Sequence, residues 1–245
     1  MQNYKIVVQY EGTRYQGWQR QETTGNTLQG KFEAILTKMC DKKIEVQASG
    51  RTDAGVHAYG QVANFHIDTK RTPQEIMDYL NQYLPEDVAV ITIEKVPERF
   101  HSRLNAKGKT YLYRVLNSSV PHIFDRRYVY QVEQSLDIDS MQKAAEYLIG
   151  THDFKAFTST KKSKKSTVRT IESIHIELVR DEIQFFYKGN GFLYHMVRIL
   201  TGTLLEIGMG ERSVCDIPVI LESGLRERAG ALIPARGLTL IEVRY

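Results

Sequence analysis

A chain of 245 residues, 42% of them hydrophobic, has apolar material for one large domain or two compact ones. Its 33 basic and 29 acidic residues leave a formal charge of +4, which permits an anionic partner without demonstrating one. No run of about 18 apolar residues occurs, and MQNYKIVVQY passes straight into a strand pattern without the basic and apolar regions of a secretion signal, so a soluble cytoplasmic protein with no membrane association is expected.

In chain order, Tyr4 to Tyr10 predicts a β-branched strand, and Thr27 to Cys40 a helix with Leu28, Phe32, Ile35, Leu36 and Met39 on one apolar stripe. Between them, Arg14 to Arg20 is a basic loop interleaved with aromatics. Arg14, Trp18 and Arg20 could hold phosphates or stack on bases, although Trp18 could equally pin the loop to the core. Gly25, Gly30 and Lys31 have the spacing of a phosphate-binding loop, but Phe32 stands where a magnesium-binding Ser or Thr is required, which argues against triphosphate chemistry. Cys40 and Cys215, far apart in helical patterns, predict two reduced, partly buried thiols.

The stretch from Ala48 to Phe65, ASGRTDAGVHAYGQVANF, gathers more reactive groups than any other. Strand alternation from Ile44 to Ala48 and again from Gln61 to Ile67 makes its middle a loop presented from a sheet edge. Gly50, Gly55 and Gly60 allow turns or close approach, while Arg51, Asp53 and His57 bring a guanidinium, a carboxylate and an imidazole. Asp53 reads either as a turn former bonding its own backbone or as a nucleophile or base. His57, inside a tight loop, reads as a residue that satisfies backbone carbonyls. Thr72-Pro73-Gln74-Glu75 then forms a capping box that starts a helix running to about Leu84, and Val88 to Val96 alternates as a strand. A basic crossing segment, Arg99 to Lys109, places a domain boundary near Asn105, giving units 1–104 and 105–245.

The second half repeats the grammar. Thr110 to Asn117 predicts a strand, Asp139 to Leu148 a helix closed by Gly150, and Val168 to Val179 and Glu182 to Lys188 two strands. A helix is expected from Phe192 toward Ile207 with Leu193, Met196, Val197, Leu200 and Leu204 on its apolar face, then a shorter one near Asp216 to Glu222 and a final strand, Leu238 to Tyr245. The expected class is α+β: two similar units with mainly antiparallel sheets and an active-site cleft between them. Thr158 to Thr170 carries Lys161, Lys162, Lys164, Lys165 and Arg169 among Ser and Thr, a solvated loop or an arm that pairs with phosphates. His175 and Glu177 imitate the HxE of zinc deaminases, but no P-C-x-x-C follows and no metal site is expected.

The segment SGRTDAGVHAYGQVANF resembles the signature of the TruA family of tRNA pseudouridine synthases without a gap. YEGTRYQGWQRQ, TLQGKFEAIL, RFHSRLNAKGKTYLYRV, GNGFLYHMVRILTGTLLEIG and ARGLTLIEVRY are similar to its other motifs in the same order, so the likeness spans nearly the whole chain. The resemblance implies isomerisation of uridine to pseudouridine at positions 38, 39 and 40 of the tRNA anticodon stem-loop, by a homodimer. That reaction breaks the bond between C1′ and N1, turns the freed uracil, joins C1′ to C5 and removes the C5 proton. It needs a carboxylate, a proton acceptor and a pocket, and no metal or organic cofactor. By resemblance Asp53 is the catalytic nucleophile, with attack at C6, attack at C1′ and removal of the 2′ proton all open. An ionised carboxylate in an apolar pocket calls for a cation, and Arg198 in GFLYHMVR is the candidate. Tyr111 in KTYLYRV matches the family's substrate-binding tyrosine, stacking on uracil and accepting the C5 proton; locally Tyr113 looks the same. Leu193 would wall the base, and Arg51 would fill the space it vacates or hold a phosphate.

Two readings from other classes compete: an RNA-binding module without chemistry, and a folding helper for tRNA. Both need a basic, aromatic surface. Neither needs an acid such as Asp53 beside Arg51, where it would oppose phosphate binding, so the enzyme is favoured.

Overall fold

In the computed structural model, which describes residues 1–160 and 165–245, contacts divide the chain into two units: Met1–Lys107 with Thr239–Tyr245, and Gly108–Leu238. In the first, β1 (Gln2–Tyr10), α1 (Leu28–Cys40), β2 (Val46–Ala48), β3 (His57–Ile67), α2 (Pro73–Tyr83) and β4 (Val88–Val96) follow in order. Alternation along β1 puts Tyr4, Ile6, Val8 and Tyr10 on its buried face, as a half-buried strand requires. β1 lies between β4 and β3, antiparallel to both, with Ile6 opposite Ile93 and Ala63. The closing strand, Leu238–Arg244, runs parallel to β3, with Thr239 opposite His57 and Leu240 opposite Ala58.

Local chemistry sets the ends of the helices. Thr27 caps α1 by accepting from the Gly30 N–H, and Asp41 ends the helix in the left-handed region. The Thr72 and Glu75 capping box starts α2 as expected, with Pro73 in its first turn. Leu28, Phe32 and Leu36 of α1 and Ile76 and Leu80 of α2 are all buried. Their residual exposure is close to zero, which makes them the apolar core of this unit.

The second unit contains β5 (Gly108–Leu116), β6 (Tyr130–Gln131), α3 (Ile138–Glu146), β7 (Gly150–Asp153), β8 (Val168–Val179), β9 (Glu182–Gly189), α4 (Met196–Gly208) and α5 (Asp216–Ser223). Its strands run in the order β5, β9, β8, β7, each antiparallel to the next, while β6 lies parallel to β5. Helix α4 is buried almost all round, and its Thr201 and Thr203 hydroxyls are satisfied by the Val197 and Ile199 carbonyls at 2.8 Å each. Among the described residues no helix is long and apolar enough to cross a membrane.

The α+β class with mainly antiparallel strands is observed. Several boundaries differ from expectation. Residues 105–107 and 239–245 group with the first unit and not with 108–238; the closing strand pairs with β3, and the Tyr245 hydroxyl donates to the Ser102 carbonyl at 2.6 Å. Helix α4 starts four residues after Phe192, because His195 has φ 64° and breaks the helical path. Gly150, at φ 108°, opens β7 and does not close α3, which ends at Glu146. Cys40 and Cys215 are both free thiols, but Cys215 is exposed, since it precedes α5 at the surface.

Candidate active site

Asp53 sits at the first position of a tight turn that its own carbonyl closes by accepting from the Val56 N–H at 3.2 Å. Backbone bonds from the 12–18 loop clamp the turn. Trp18 N–H donates to the Thr52 carbonyl at 3.0 Å, and Gly55 N–H to the Tyr15 carbonyl at 3.4 Å. Two glycines make this approach possible. A Cβ on Gly12 would stand 2.0 Å from the Val56 oxygen, and Gly17, at φ 88°, passes so near Thr52 that a Cβ would lie 2.7 Å from its oxygen. Neither position stands out in the sequence, because only the fold brings the two loops together.

Buried polar groups complete the support. The Tyr10 hydroxyl and Thr52 Oγ1 lie 2.8 Å apart, and Gln61, fully buried, takes the Ser49 hydroxyl at 2.8 Å and donates to the Gly50 carbonyl at 3.0 Å. Burial pushes the Tyr10 phenol far above its usual range, which keeps it a neutral partner for Thr52. His57 is buried and its Nδ1 accepts from the Gly12 N–H at 3.0 Å, a backbone-supporting role with an N–H as its partner, where the sequence suggested carbonyls. Asp53 itself is half-buried, and Arg51 is exposed without an ion-pair partner among the described residues.

The basic aromatic loop supports this turn. Trp18 is 1% exposed, with Phe32 stacked at 6.0 Å and Tyr10 at 6.1 Å, so it anchors the loop in the core and offers no ring to a base. Arg14 pairs with Asp87 at 2.7 Å, and the Tyr15 hydroxyl donates to the same carboxylate at 2.5 Å. Arg20 meets the buried Glu33 at 3.0 Å, and Glu33 also accepts from the Val46 N–H at 3.2 Å. Both guanidiniums therefore already face carboxylates and tie loop to scaffold.

In the second unit, Tyr111 on β5 is 8% exposed and meets Phe192 edge to face at 5.3 Å. Tyr113, two residues on, is buried outright; its hydroxyl donates to the Pro234 carbonyl at 2.6 Å, and burial holds the phenol well above its usual range. The two tyrosines, alike in sequence, thus separate in structure. Arg198 stands in the first turn of α4, half-buried, with Nε donating to the Ile233 carbonyl at 2.7 Å, which aims the guanidinium. Leu193, half-buried, lies in the turn ahead of α4, where its N–H points to Met196 Sδ at 3.4 Å. The sequence marks Phe192 only as a helix start, because its ring partner Tyr111 lies on a distant strand.

Arg169 on β8 turns back to donate to the Ser166 and Val168 carbonyls at 3.0 and 2.6 Å, and burial lowers its pKa. Lys165 is exposed, and Lys162 lies outside the described residues, as do Lys161 and Lys164. His122, Asp125 and Glu182 bring ligand atoms within 4.8 Å of one another, but the Arg114 guanidinium donates to Glu182 at 2.7 Å and reaches Asp125 at 3.5 Å. A fixed cation is therefore already seated on those carboxylates.

Residues 6–105 and 144–245 match the model of a family described as tRNA pseudouridine synthase. A protein of Bacillus sp. (strain KSM-64) named tRNA pseudouridine synthase A is 49% identical over 245 residues, with 100% of each chain covered. Similar full-length matches are a tRNA pseudouridine synthase A 2 of Bacillus cereus (strain ZK / E33L), 44% identical over 100% of each chain, and a tRNA pseudouridine synthase A 1 of Clostridium tetani (strain Massachusetts / E88), 45% identical over 100% of each chain.

Proposed function

This chain belongs to the tRNA pseudouridine synthase family, and from that membership we propose that it isomerises uridine to pseudouridine at positions 38, 39 and 40 of the tRNA anticodon stem-loop. The observation that carries the reading is a reactive carboxylate, Asp53, on a loop whose position is locked by backbone bonds and close-approach glycines. Preorganisation of this kind is what a reaction of a flipped base requires, since the base has already cost a few kcal/mol to unstack.

Within this reading Asp53 is the nucleophile, and Tyr111, Leu193 and Arg198 attend the target uridine. Asp53 opens the reaction as the carboxylate, and Arg198 contributes positive charge to the pocket. The bond from C1′ to N1 breaks, the uracil turns against Tyr111 and the Leu193 side chain, and C1′ joins C5. Tyr111 takes the C5 proton while N1 gains one, so atoms balance and the product is an isomer. Arg51 engages the strand from which the base was extruded, and Lys165 and Arg169 pair with tRNA phosphates. The enzyme works as a homodimer in the cytoplasm; sedimentation equilibrium of active protein giving a monomer mass would contradict the dimer.

The direct test uses anticodon stem-loop transcripts carrying tritium at C5 of the uridines at 38, 39 and 40. Release of tritium to water with formation of pseudouridine is expected. Tight binding with no release would instead favour an RNA-binding module.

A further inference from the structure

Among the described residues, three that are not glycine adopt a left-handed backbone: Asp41, Arg180 and His195, at φ 49°, 61° and 64°. Asp41 ends α1 with its N–H on the Thr37 carbonyl, and Arg180 lies in the two-residue link between β8 and β9. A helix end and a tight hairpin both call for this conformation. His195 stands instead at the start of a helix, where an extended Ser, Thr, Asp or Asn is usual, and its side chain makes no cap. Backbone conformations of this kind, unexplained by local structure, concentrate at functional sites.

The conformation at His195 folds two rings together. Its imidazole lies over the Tyr194 ring with centroids 3.6 Å apart and planes 27° from parallel, and Nδ1 meets Ser159 Oγ at 2.9 Å. The Tyr194 carbonyl accepts from Thr158 Oγ1 at 3.0 Å and from the Ser159 N–H at 3.4 Å. Thr158 is itself buried and follows directly on the buried Ala156 and Phe157, so the pair is bolted to the core. Even so, Tyr194 remains 54% exposed. With one face covered by the imidazole, its other face is the one left open to water.

A rigid aromatic ring with one open face suits a planar, unpaired base. Phe192, two residues back, packs on Tyr111, and Arg198 lies in the first turn of α4, so the ring shares its turn with groups assigned to the target uridine. Extruding that uridine leaves its neighbour in the tRNA without a stacking partner. We propose that the Tyr194 and His195 pair is a stacking platform for the base next to the target uridine, a subsite that rests on the function proposed above.

The test is steady-state tritium release by the natural chain, Tyr194→Leu and Tyr194→Phe on stem-loop transcripts, with and without an abasic site at each nucleotide flanking the target. Tyr194→Leu is expected to raise KM about tenfold, the order of one base stack on an aromatic ring, with kcat changed less than about twofold. Tyr194→Phe should restore KM, because the ring suffices. One abasic neighbour should raise the KM of the natural chain to about the Tyr194→Leu level and leave Tyr194→Leu itself unchanged. An unchanged KM for Tyr194→Leu overturns the platform, as does damage by Tyr194→Phe equal to that by Tyr194→Leu, or an abasic penalty independent of residue 194. In each of these cases ordinary turnover by the natural chain leaves the proposed function standing; no release by the natural chain on any transcript counts against that function and removes the platform with it.

Discussion

The turn at Asp53 is tied to its neighbouring loop mostly through main chain, whereas the turn ahead of α4 is tied down mostly through side chains. Around Asp53 the clamps are the Trp18 and Gly55 N–H groups on the Thr52 and Tyr15 carbonyls, with Gly12 and Gly17 admitting the approach. Ahead of α4 they are His195 on Ser159, Leu193 on Met196 sulfur and Arg198 on the Ile233 carbonyl. A main-chain clamp fixes a group whatever side chain occupies the position, but it cannot absorb an added Cβ. A side-chain clamp loses one bond at a time, and its failures are graded.

The contrast yields separable expectations. Apart from removal of the Asp53 carboxylate itself, the largest effect should come from Tyr111→Phe, which keeps the edge contact with Phe192 and removes only the hydroxyl. Loss of a proton acceptor should lower turnover by about 10²- to 10⁴-fold. Full turnover would remove Tyr111 from the chemistry. Next comes Gly12→Ala, where the new carbon meets the Val56 carbonyl oxygen at 2.0 Å and backbone must move. A cost of about 3 kcal/mol and a fall in Tm of roughly 6 to 12 °C are expected. Gly25→Ala, with nothing within 4 Å of the added carbon, is the matched control and should change Tm by no more than about 2 °C.

Tyr113→Phe should be milder and opposite in kind to Tyr111→Phe. It strips the donor from the Pro234 carbonyl, costing about 1 kcal/mol in urea denaturation, and leaves turnover intact. Comparable loss of turnover in both variants would erase the distinction between the two tyrosines. The smallest effect belongs to the capping box of α2, remote from both turns. Bonds from the Thr72 N–H and hydroxyl hold the Glu75 carboxyl below its ordinary value of 4.5. A depressed pKa contributes stability that is full above the unfolded value and fades as pH falls through the folded one. Glu75→Gln should therefore flatten the acid dependence of stability below about pH 4.5, and urea midpoints measured from pH 3 to 7 would show it.

The sequence disclosed those features whose causes are local. The capping box at Thr72 and the alternation of Val88–Val96 and Val168–Val179 appear with the limits expected of them, because their signals are complete within a few residues. The Asp53 loop was legible for the same reason, through its own glycines. What stayed hidden depends on partners far along the chain. Trp18 could be a stacking residue or an anchor until Phe32 and Tyr10 closed on it. Gly12 shows its purpose only against Val56, and Tyr113 parts from Tyr111 only where Pro234 lies. The start of α4 was misplaced because helical periodicity continues through Phe192 to His195 while the backbone at His195 does not. Short β6 and β7 carry too few residues for a period-two pattern to register.

The central claim is that Asp53 performs the chemistry on a loop that main-chain bonds and close-approach glycines help to hold in place. Asp53→Asn preserves the carbonyl that closes the turn to Val56 and removes only the negative charge. Tritium release from C5-labelled tRNA should be compared between this variant and the natural chain at matched tRNA occupancy. The account predicts release by the natural chain and none by Asp53→Asn, with both proteins equally folded and equally loaded with tRNA. Release by Asp53→Asn at the natural rate would contradict it.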